Sequence, residues 1–382
     1  MASFTEYIRE HIGRVRPLAA GIHHYQSAPG EGPYRLHLRL EQDGSGILIV
    51  NAATILHLNP TAAEYALHLV RKTPPAEAAR QIAARYRVDQ AGALKDFNEF
   101  CERIRVLIAT PDLDPSMYLD FERVQPHSRQ LVAPLRLDCA LTYRLPAGSR
   151  AEDAPTRRVE RELSTAEWQT VMDKAWAAGI PHITFTGGEP TLRDDLPALV
   201  AHAEKNGQVC GLLSDGLRLS DHTYLQSLLQ AGLDHLLFIL KPESAVSWQA
   251  LESIMPQDLY TTVHLTATVQ NLKTAGEALD RLAKLGVNSL SLSCAEASLK
   301  PALLPLRDRA ATLGLTLRWD LPVPYSSDNP VAQETAGDAL PSGAGTAWLY
   351  VEPDGDVLPA QGLADQVLGN FLNDPWEKIH RG

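Results

Sequence analysis

Between residues 178 and 315 one unit keeps returning: a helix-like stretch ends at a glycine, and a hydrophobic strand begins within a few residues. It reads Ala178-Gly179-Ile180, Asn206-Gly207-Gln208-Val209, Ala231-Gly232-Leu233, Leu285-Gly286-Val287 and Leu313-Gly314-Leu315. Glycine takes the left-handed conformation that caps a helix, and the chain then returns as a strand parallel to the one before. The glycines lie 28, 25, 54 and 28 residues apart, so the long gap holds two units, and the second is filled by the strand-like Tyr260-Thr-Thr-Val-His-Leu-Thr-Ala-Thr-Val269. With Leu135–Tyr143 as the opening strand, about seven strands alternate with six helices. That pattern predicts an α/β fold, either an incomplete parallel barrel or an open parallel sheet, with ligands at the C-terminal strand ends.

The segments before and after follow other rules. Arg35-Leu-His-Leu-Arg-Leu40 alternates at period two, and Ile47–Val50 and Thr54–Leu56 follow across the turn-prone Asp43-Gly-Ser-Gly46. Asn59-Pro60 then opens the first of three helical stretches, near 60 to 71, 75 to 86 and 89 to 108, the last with an apolar stripe through Leu94, Phe97, Phe100, Cys101, Ile104 and Ile108. Strands followed by three helices predict a small winged-helix-like module over 35–110. Residues 1–34, with His11, His23 and His24, read as an exposed tail, and the proline-marked 111–134 as a linker. The α/β body takes 135–335. In 336–382, Ala347-Trp-Leu-Tyr-Val351, Glu352-Pro-Asp-Gly-Asp356 and Val357-Leu358 predict a β-hairpin lobe closed by a short helix near 375 to 380.

Composition bounds the function. At 382 residues, 45% hydrophobic and 21% charged, the chain has material for two or three domains. A net charge of -11 without a basic stripe argues against nucleic acid, and no apolar run approaches a membrane span or a signal peptide, so a cytoplasmic protein is expected. The four cysteines, Cys101, Cys139, Cys210 and Cys294, stand singly, as buried apolar residues would. No metal site is expected.

The stretch Thr184-Phe-Thr-Gly187-Gly188-Glu189-Pro190-Thr-Leu-Arg-Asp-Asp-Leu196 sits where a strand gives way to a helix. Its glycines would let a ligand approach the backbone, and Glu189 offers a carboxylate to an ammonium group. It resembles the SAM-amino-group motif of radical SAM enzymes. Leu137-Asp-Cys-Ala-Leu-Thr-Tyr-Arg144 resembles that family's first barrel strand, Glu162-Leu-Ser-Thr-Ala-Glu-Trp168 its first helix start, and Leu212-Leu-Ser214-Asp215-Gly216 a later strand end. The segments 349–362 and 368–376 resemble the SPASM or twitch extension. The first module, with Leu58-Asn-Pro-Thr-Ala-Ala63, resembles the PqqD-like recognition element of ribosomal-peptide biosynthesis.

The resemblance implies a partial (β/α)6 TIM-like barrel between a PqqD-like domain and a degenerate twitch lobe. It implies a cofactor contact at Gly187, Gly188, Glu189, Ser214 and Asp215. It also implies a leader peptide added beside the strand of Ile55 and His57 and lying near Phe97 and Glu99. Lys241 and the aspartates Asp138, Asp215 and Asp320 are candidates for charge pairs, and no residue is assigned a catalytic role. The family's CxxxCxxC, which ligates a four-iron cluster, falls on Leu145, Ser149 and Glu152, and the lobe's cysteine positions fall near Thr346 and on Ala360. The expectation is therefore that no 4Fe-4S cluster is present and that SAM is not favoured. The chain then reads as a pseudoenzyme that recognises a precursor peptide beside a cluster-containing radical SAM enzyme. A non-radical enzyme using the barrel mouth with SAM is the alternative.

Overall fold

The computed structural model describes residues 15–28, 34–51, 54–110, 131, 133–149, 159–287, 289–318 and 343–380. The chain divides into two compact units, residues 1–125 and 126–382.

The first unit is a four-stranded antiparallel sheet in the order β1-β2-β3-β4, with β1 at Gly21–Gln26, β2 at Arg35–Leu40, β3 at Gly46–Val50 and β4 at Thr54–Leu58. Three helices follow: α1 (Pro60–Val70), α2 (Pro75–Tyr86) and α3 (Gln90–Ala109). The predicted proline start is real, because the Asn59 side chain accepts the Ala62 N–H at 2.9 Å while Pro60 needs no partner for its missing N–H. Leu36, Leu38 and Leu40 meet Leu48, Leu56 and Leu58 and pack on Ala63, Ala66 and Leu67 of α1 and on Ile104 and Leu107 of α3.

The reading of residues 1–34 as a tail does not hold for 21–26. Those residues are β1, with His24 opposite His37 and Tyr25 opposite Leu36. What fixes the strand is aromatic: the Tyr25 ring lies 5.7 Å from that of Tyr34 and beneath the Lys72 ammonium at 4.0 Å. His11 lies outside the described residues.

The second unit alternates as the glycines predict. Strands β5 (Arg136–Thr142), β6 (His182–Gly187), β7 (Val209–Ser214), β8 (His235–Leu240), β9 (Tyr260–Ala267), β10 (Ser289–Cys294) and β11 (Thr316–Arg318) are joined by α4 (Thr165–Ala178), α5 (Leu196–Asn206), α6 (His222–Ala231), α7 (Ala245–Ile254), α8 (Ala275–Lys284) and α9 (Leu303–Thr312). The glycines at 179, 207 and 232 are left-handed caps with φ of 97°, 84° and 102°. Each strand pairs in parallel with the next, so β5 to β11 form one continuous run.

One pairing was not expected. β12 (Trp348–Val351) does not sit in a separate lobe but joins the same sheet, parallel to β5, and β13 (Asp356–Leu358) and β14 (Gly369–Asn370) extend it antiparallel. A short helix, α10 (Trp376–Ile379), closes the chain. The result is an open ten-stranded mixed sheet with β11 and β14 at its ends.

The two faces of this sheet differ in chemistry. Leu137, Cys139, Leu141, Phe185, Leu212, Phe238, Val263, Leu265 and Leu290 point to the helices and share one core with Trp168, Leu199, Leu251 and Leu279. The alternate residues point the other way. They include Asp138, Thr184, Thr262, His264, Thr266, Ser289 and Ser291, all buried and polar.

Candidate functional site

The ends of β5, β6, β7 and β8 bring the motif residues together. Beyond β5 and β6 the backbones keep pairing past a register shift: the Gly188 N–H donates to the Thr142 carbonyl at 2.8 Å and the Glu189 N–H to that of Arg144 at 2.9 Å. A Cβ on Gly187 would lie 2.2 Å from the Thr142 oxygen, and one on Gly188 2.1 Å from the Arg144 oxygen. The two glycines are thus required by a close approach of the chain to itself. The expected reason, access for a ligand, is not what fixes them.

Glu189 is 3% exposed. Its Oε1 accepts from the Thr191 N–H (3.0 Å), the Thr191 hydroxyl (2.6 Å) and the Ser214 hydroxyl (2.8 Å), and its Oε2 accepts from the Asp215 N–H (2.9 Å). Ser214 is fully buried, and its oxygen also accepts the Gly216 N–H at 3.0 Å. Burial first, then the nearby Asp215 carboxylate, pushes the Glu189 carboxyl up to about 7. Asp215 accepts the Leu217 N–H on Oδ1 at 3.0 Å, while its Oδ2 is buried with no hydrogen-bond partner among the described residues. Lys241, one residue past β8, places its Nζ 4.0 Å from that oxygen, so its partner is Asp215 and not Glu189.

Arg193, which the sequence reading quoted but gave no role, locks this corner. It is 8% exposed, donates to the carbonyls of Leu141 (3.2 Å) and Leu163 (3.0 Å), and forks onto Asp195 at 2.8 and 2.7 Å. The other named aspartate on this face, Asp138, pairs with Arg136 at 2.8 Å at the opposite end of β5. Asp320 lies outside the described residues.

Deeper on the polar face, which the sequence reading did not assign, His264 of β9 has its ring nitrogens 3.0 Å from Ser291 Oγ and 2.9 Å from Ser293 Oγ. Burial lowers its pKa to about 4, so the ring is neutral at pH 7. The signal was in the alternation Thr262-His264-Thr266 against Ser289-Ser291-Ser293, which puts six polar side chains of two adjacent strands on one face.

Of the described residues, Glu352, Asp354 and Asp356 have carboxylate oxygens within 4.8 Å of one another. Around the β12–β13 turn, the hydroxyl of Tyr143, just past β5, donates to Glu352 at 3.0 Å, and Asn370 of β14 donates to Asp356 at 2.9 Å.

In the first unit, β4 is an outer strand of its sheet. Ile55 is 41% exposed, and His57 on the same face is exposed too. Phe97, expected at a peptide surface, is instead 2% exposed, enclosed by Ala78, Ile82 and Ala93 with the Tyr65 ring 6.2 Å away. Glu99 is exposed and pairs with Arg103 at 2.6 Å.

The parallel run of β5 to β11, with helices between its strands and a glycine turn and buried carboxylates at the C-terminal strand ends, defines an α/β protein. Residues 139–241 match the model of the radical SAM superfamily. The chain is similar to the PqqA peptide cyclase of Streptomyces rochei, 26% identical over 276 residues covering 65% of this chain and 75% of that one. It is also similar to the PqqA peptide cyclase of Ruegeria pomeroyi, 27% identical over 260 residues covering 59% and 67%. In fold it is similar to Streptococcus suis SuiB bound to S-adenosylmethionine, at 15% identity and a TM-score of 0.59 over 92% of this chain and 86% of that one. SuiB bound to the precursor peptide SuiA gives 14%, 0.57, 90% and 86%.

These comparisons correct the cofactor expectation. The match to the radical SAM superfamily model and the PqqA peptide cyclase relatives overturn the expectation of no 4Fe-4S cluster and a disfavoured SAM, which does not stand. Cys139, Cys210 and Cys294 belong to the helix-side core, and Cys101 is on α3 of the other unit. Burial, then the charge of Asp138, pushes the Cys139 thiol well above its usual range. These thiols do not fit a three-thiolate site. The Asp215 carboxylate just past β7 does fit the ammonium end of SAM, because its buried Oδ2 lacks a donor among the described residues. None of the helices among the described residues is long and apolar enough to cross a membrane.

Proposed function

We propose that this chain recognises a ribosomally synthesised precursor peptide during maturation of a peptide natural product or cofactor. The peptide is held as an added strand beside β4. The observation that carries the reading is the edge position of β4, with Ile55 and His57 exposed on it while Leu56 and Leu58 anchor it to the core. An open edge supplies main-chain hydrogen bonds for affinity, and the alternate side chains supply selectivity. The homology to peptide cyclases and the likeness to SuiB, whose structure holds its precursor peptide, support it. In this reading the chain is a recognition subunit that serves a modifying reaction.

A second reading is favoured by the carboxylates at the strand ends. Glu189 and Asp215 share one buried corner, where the Asp215 carboxylate suits a cationic ligand, so the mouth of the sheet binds SAM, with Gly187, Gly188 and Ser214 shaping the turn. What these residues do is bind and orient; SAM, when bound, supplies the sulfonium chemistry.

The test is fluorescence polarisation with labelled synthetic precursor peptides, the PqqA peptide and SuiA among them. Removing a contact the size of the Ile55 side chain costs about 1–2 kcal/mol, so Ile55→Ala weakens binding roughly tenfold. Unchanged affinity in Ile55→Ala and His57→Ala, or no binding of any precursor, refutes the reading.

A further inference from the structure

The carboxylate expected to receive an ammonium group is already engaged by its own chain. Glu189 accepts four hydrogen bonds, three on Oε1 and one on Oε2, from Thr191, Ser214 and the Asp215 backbone. A carboxylate offers about four acceptor sites in all, and those donors are fixed by the turn that follows β6 and by the end of β7. Turning Glu189 to a ligand would strand Thr191 and Ser214 in a buried corner.

Asp215 stands differently. Its side chain is 10% exposed, and Oδ1 is tied to the Leu217 N–H, which fixes the direction of the carboxylate. Oδ2 has no donor among the described residues, and the nearest cation, Lys241 Nζ at 4.0 Å, is beyond hydrogen-bond length. Lys241 is 41% exposed on a flexible stem, so it can swing to solvent without uncovering a buried group. Gly216, with φ of 70°, lets the chain turn beneath the Phe238 ring, where a Cβ would approach to 2.1 Å, so Asp215 is held by packing on its C-terminal side as well.

We propose that Asp215, not Glu189, is the carboxylate that takes the ammonium group of the ligand at the strand ends, with Lys241 as the internal cation which that group displaces. Glu189 is then a positioning residue: by accepting the Asp215 N–H it sets where the Asp215 side chain begins. The inference rests on the reading of this mouth as a SAM site. It changes which residue makes the charged contact, and it makes the contact competitive with a lysine of the same chain.

The experiment is isothermal titration of the full chain with two probes. SAM carries the amino-acid ammonium; 5′-methylthioadenosine has the nucleoside and thioether without it. Asp215→Asn keeps the shape and the Oδ1 acceptor for Leu217, and loses the charge. The expected result is a loss of SAM affinity of at least about tenfold with 5′-methylthioadenosine unchanged, since a charge-assisted hydrogen bond is about twice as strong as a neutral one. Lys241→Met, at a half-exposed position, is expected to raise SAM affinity a few-fold. If wild type binds SAM, Asp215→Asn binds it as well as wild type and Glu189→Gln loses it, the proposal is overturned and the SAM reading survives. Equal losses of both probes in Asp215→Asn also overturn it, by showing a general distortion. If wild type binds neither probe, the SAM reading fails and the proposal with it.

Discussion

Gly188 and Gly276 are the same residue type in opposite circumstances, and the difference is measurable. An added methyl on Gly188 meets the Arg144 carbonyl oxygen at 2.1 Å and its carbon at 2.8 Å, atoms of a paired backbone that has no rotamer to escape into. Gly276, in the first turn of α8, meets nothing within 4 Å. Gly188→Ala is therefore expected to destabilise the second unit by about 2–3 kcal/mol, as overpacking does. Gly276→Ala is expected to stabilise it by up to about 1 kcal/mol, because alanine loses less backbone entropy in a helix. Urea denaturation of both variants checks the pair, and equal effects would refute the account. The motif around Gly187-Gly188-Glu189 was legible in the sequence as a strand-to-helix turn bearing a carboxylate. Which of its atoms were consumed internally was not, because the donors come from residue 191 nearby and from Ser214 and Asp215, 25 and 26 residues on.

At the scale of elements, β9 and β10 set a pH dependence. His264 is fully enclosed, and burial holds its pKa at about 4 against 6.5 in the unfolded chain. Between those values the unfolded chain binds the proton and the folded one does not, so stability rises with pH from about 4 to 6.5 and is level above. On acidification the loss is on the order of 3 kcal/mol for this one ring. His264→Gln keeps hydrogen-bonding atoms near Ser291 and Ser293 and removes the titration. Unfolding free energies at pH 4 and 7 are expected to differ by about 3 kcal/mol less in the variant than in wild type, and identical pH dependence would show that His264 does not set the slope. Opposite-signed contributions such as that of Glu189, whose raised pKa lowers stability as pH climbs from 4.5 toward 7, cancel in the comparison. The alternation of α4 to α9 with β5 to β11 was legible because each junction carries its own glycine. β1 was not, since Gly21–Gln26 has two histidines and little alternation, and its place is decided by Tyr34 and by Lys72, 47 residues beyond Tyr25. Nor was the parallel pairing of β12 with β5, a contact across some 200 residues.

Over the whole molecule the two units have separate cores: one gathers Leu36, Leu38, Leu48 and Ile104, the other Leu137, Phe185, Leu212 and Val263, and among the described residues none serves both. The division of the chain into two units was legible because each part has its own periodicity, two in the first strands and helix-glycine-strand in the second. The cofactor chemistry was not legible in the same way, because counting cysteines describes this chain's donors and the homologues describe the superfamily's ligand. Separate cores make a thermodynamic prediction. Deleting three carbons from a buried leucine costs about 2–5 kcal/mol, which shifts the melting point of a unit near 100 residues by roughly 10 °C or more. In calorimetry of the full chain, Leu38→Ala is expected to lower one transition and leave the other, while Leu212→Ala does the reverse. Were both substitutions to move a single shared transition, the two cores would be melting as one cooperative body, and peptide binding beside β4 could not be assigned to the first unit without the second.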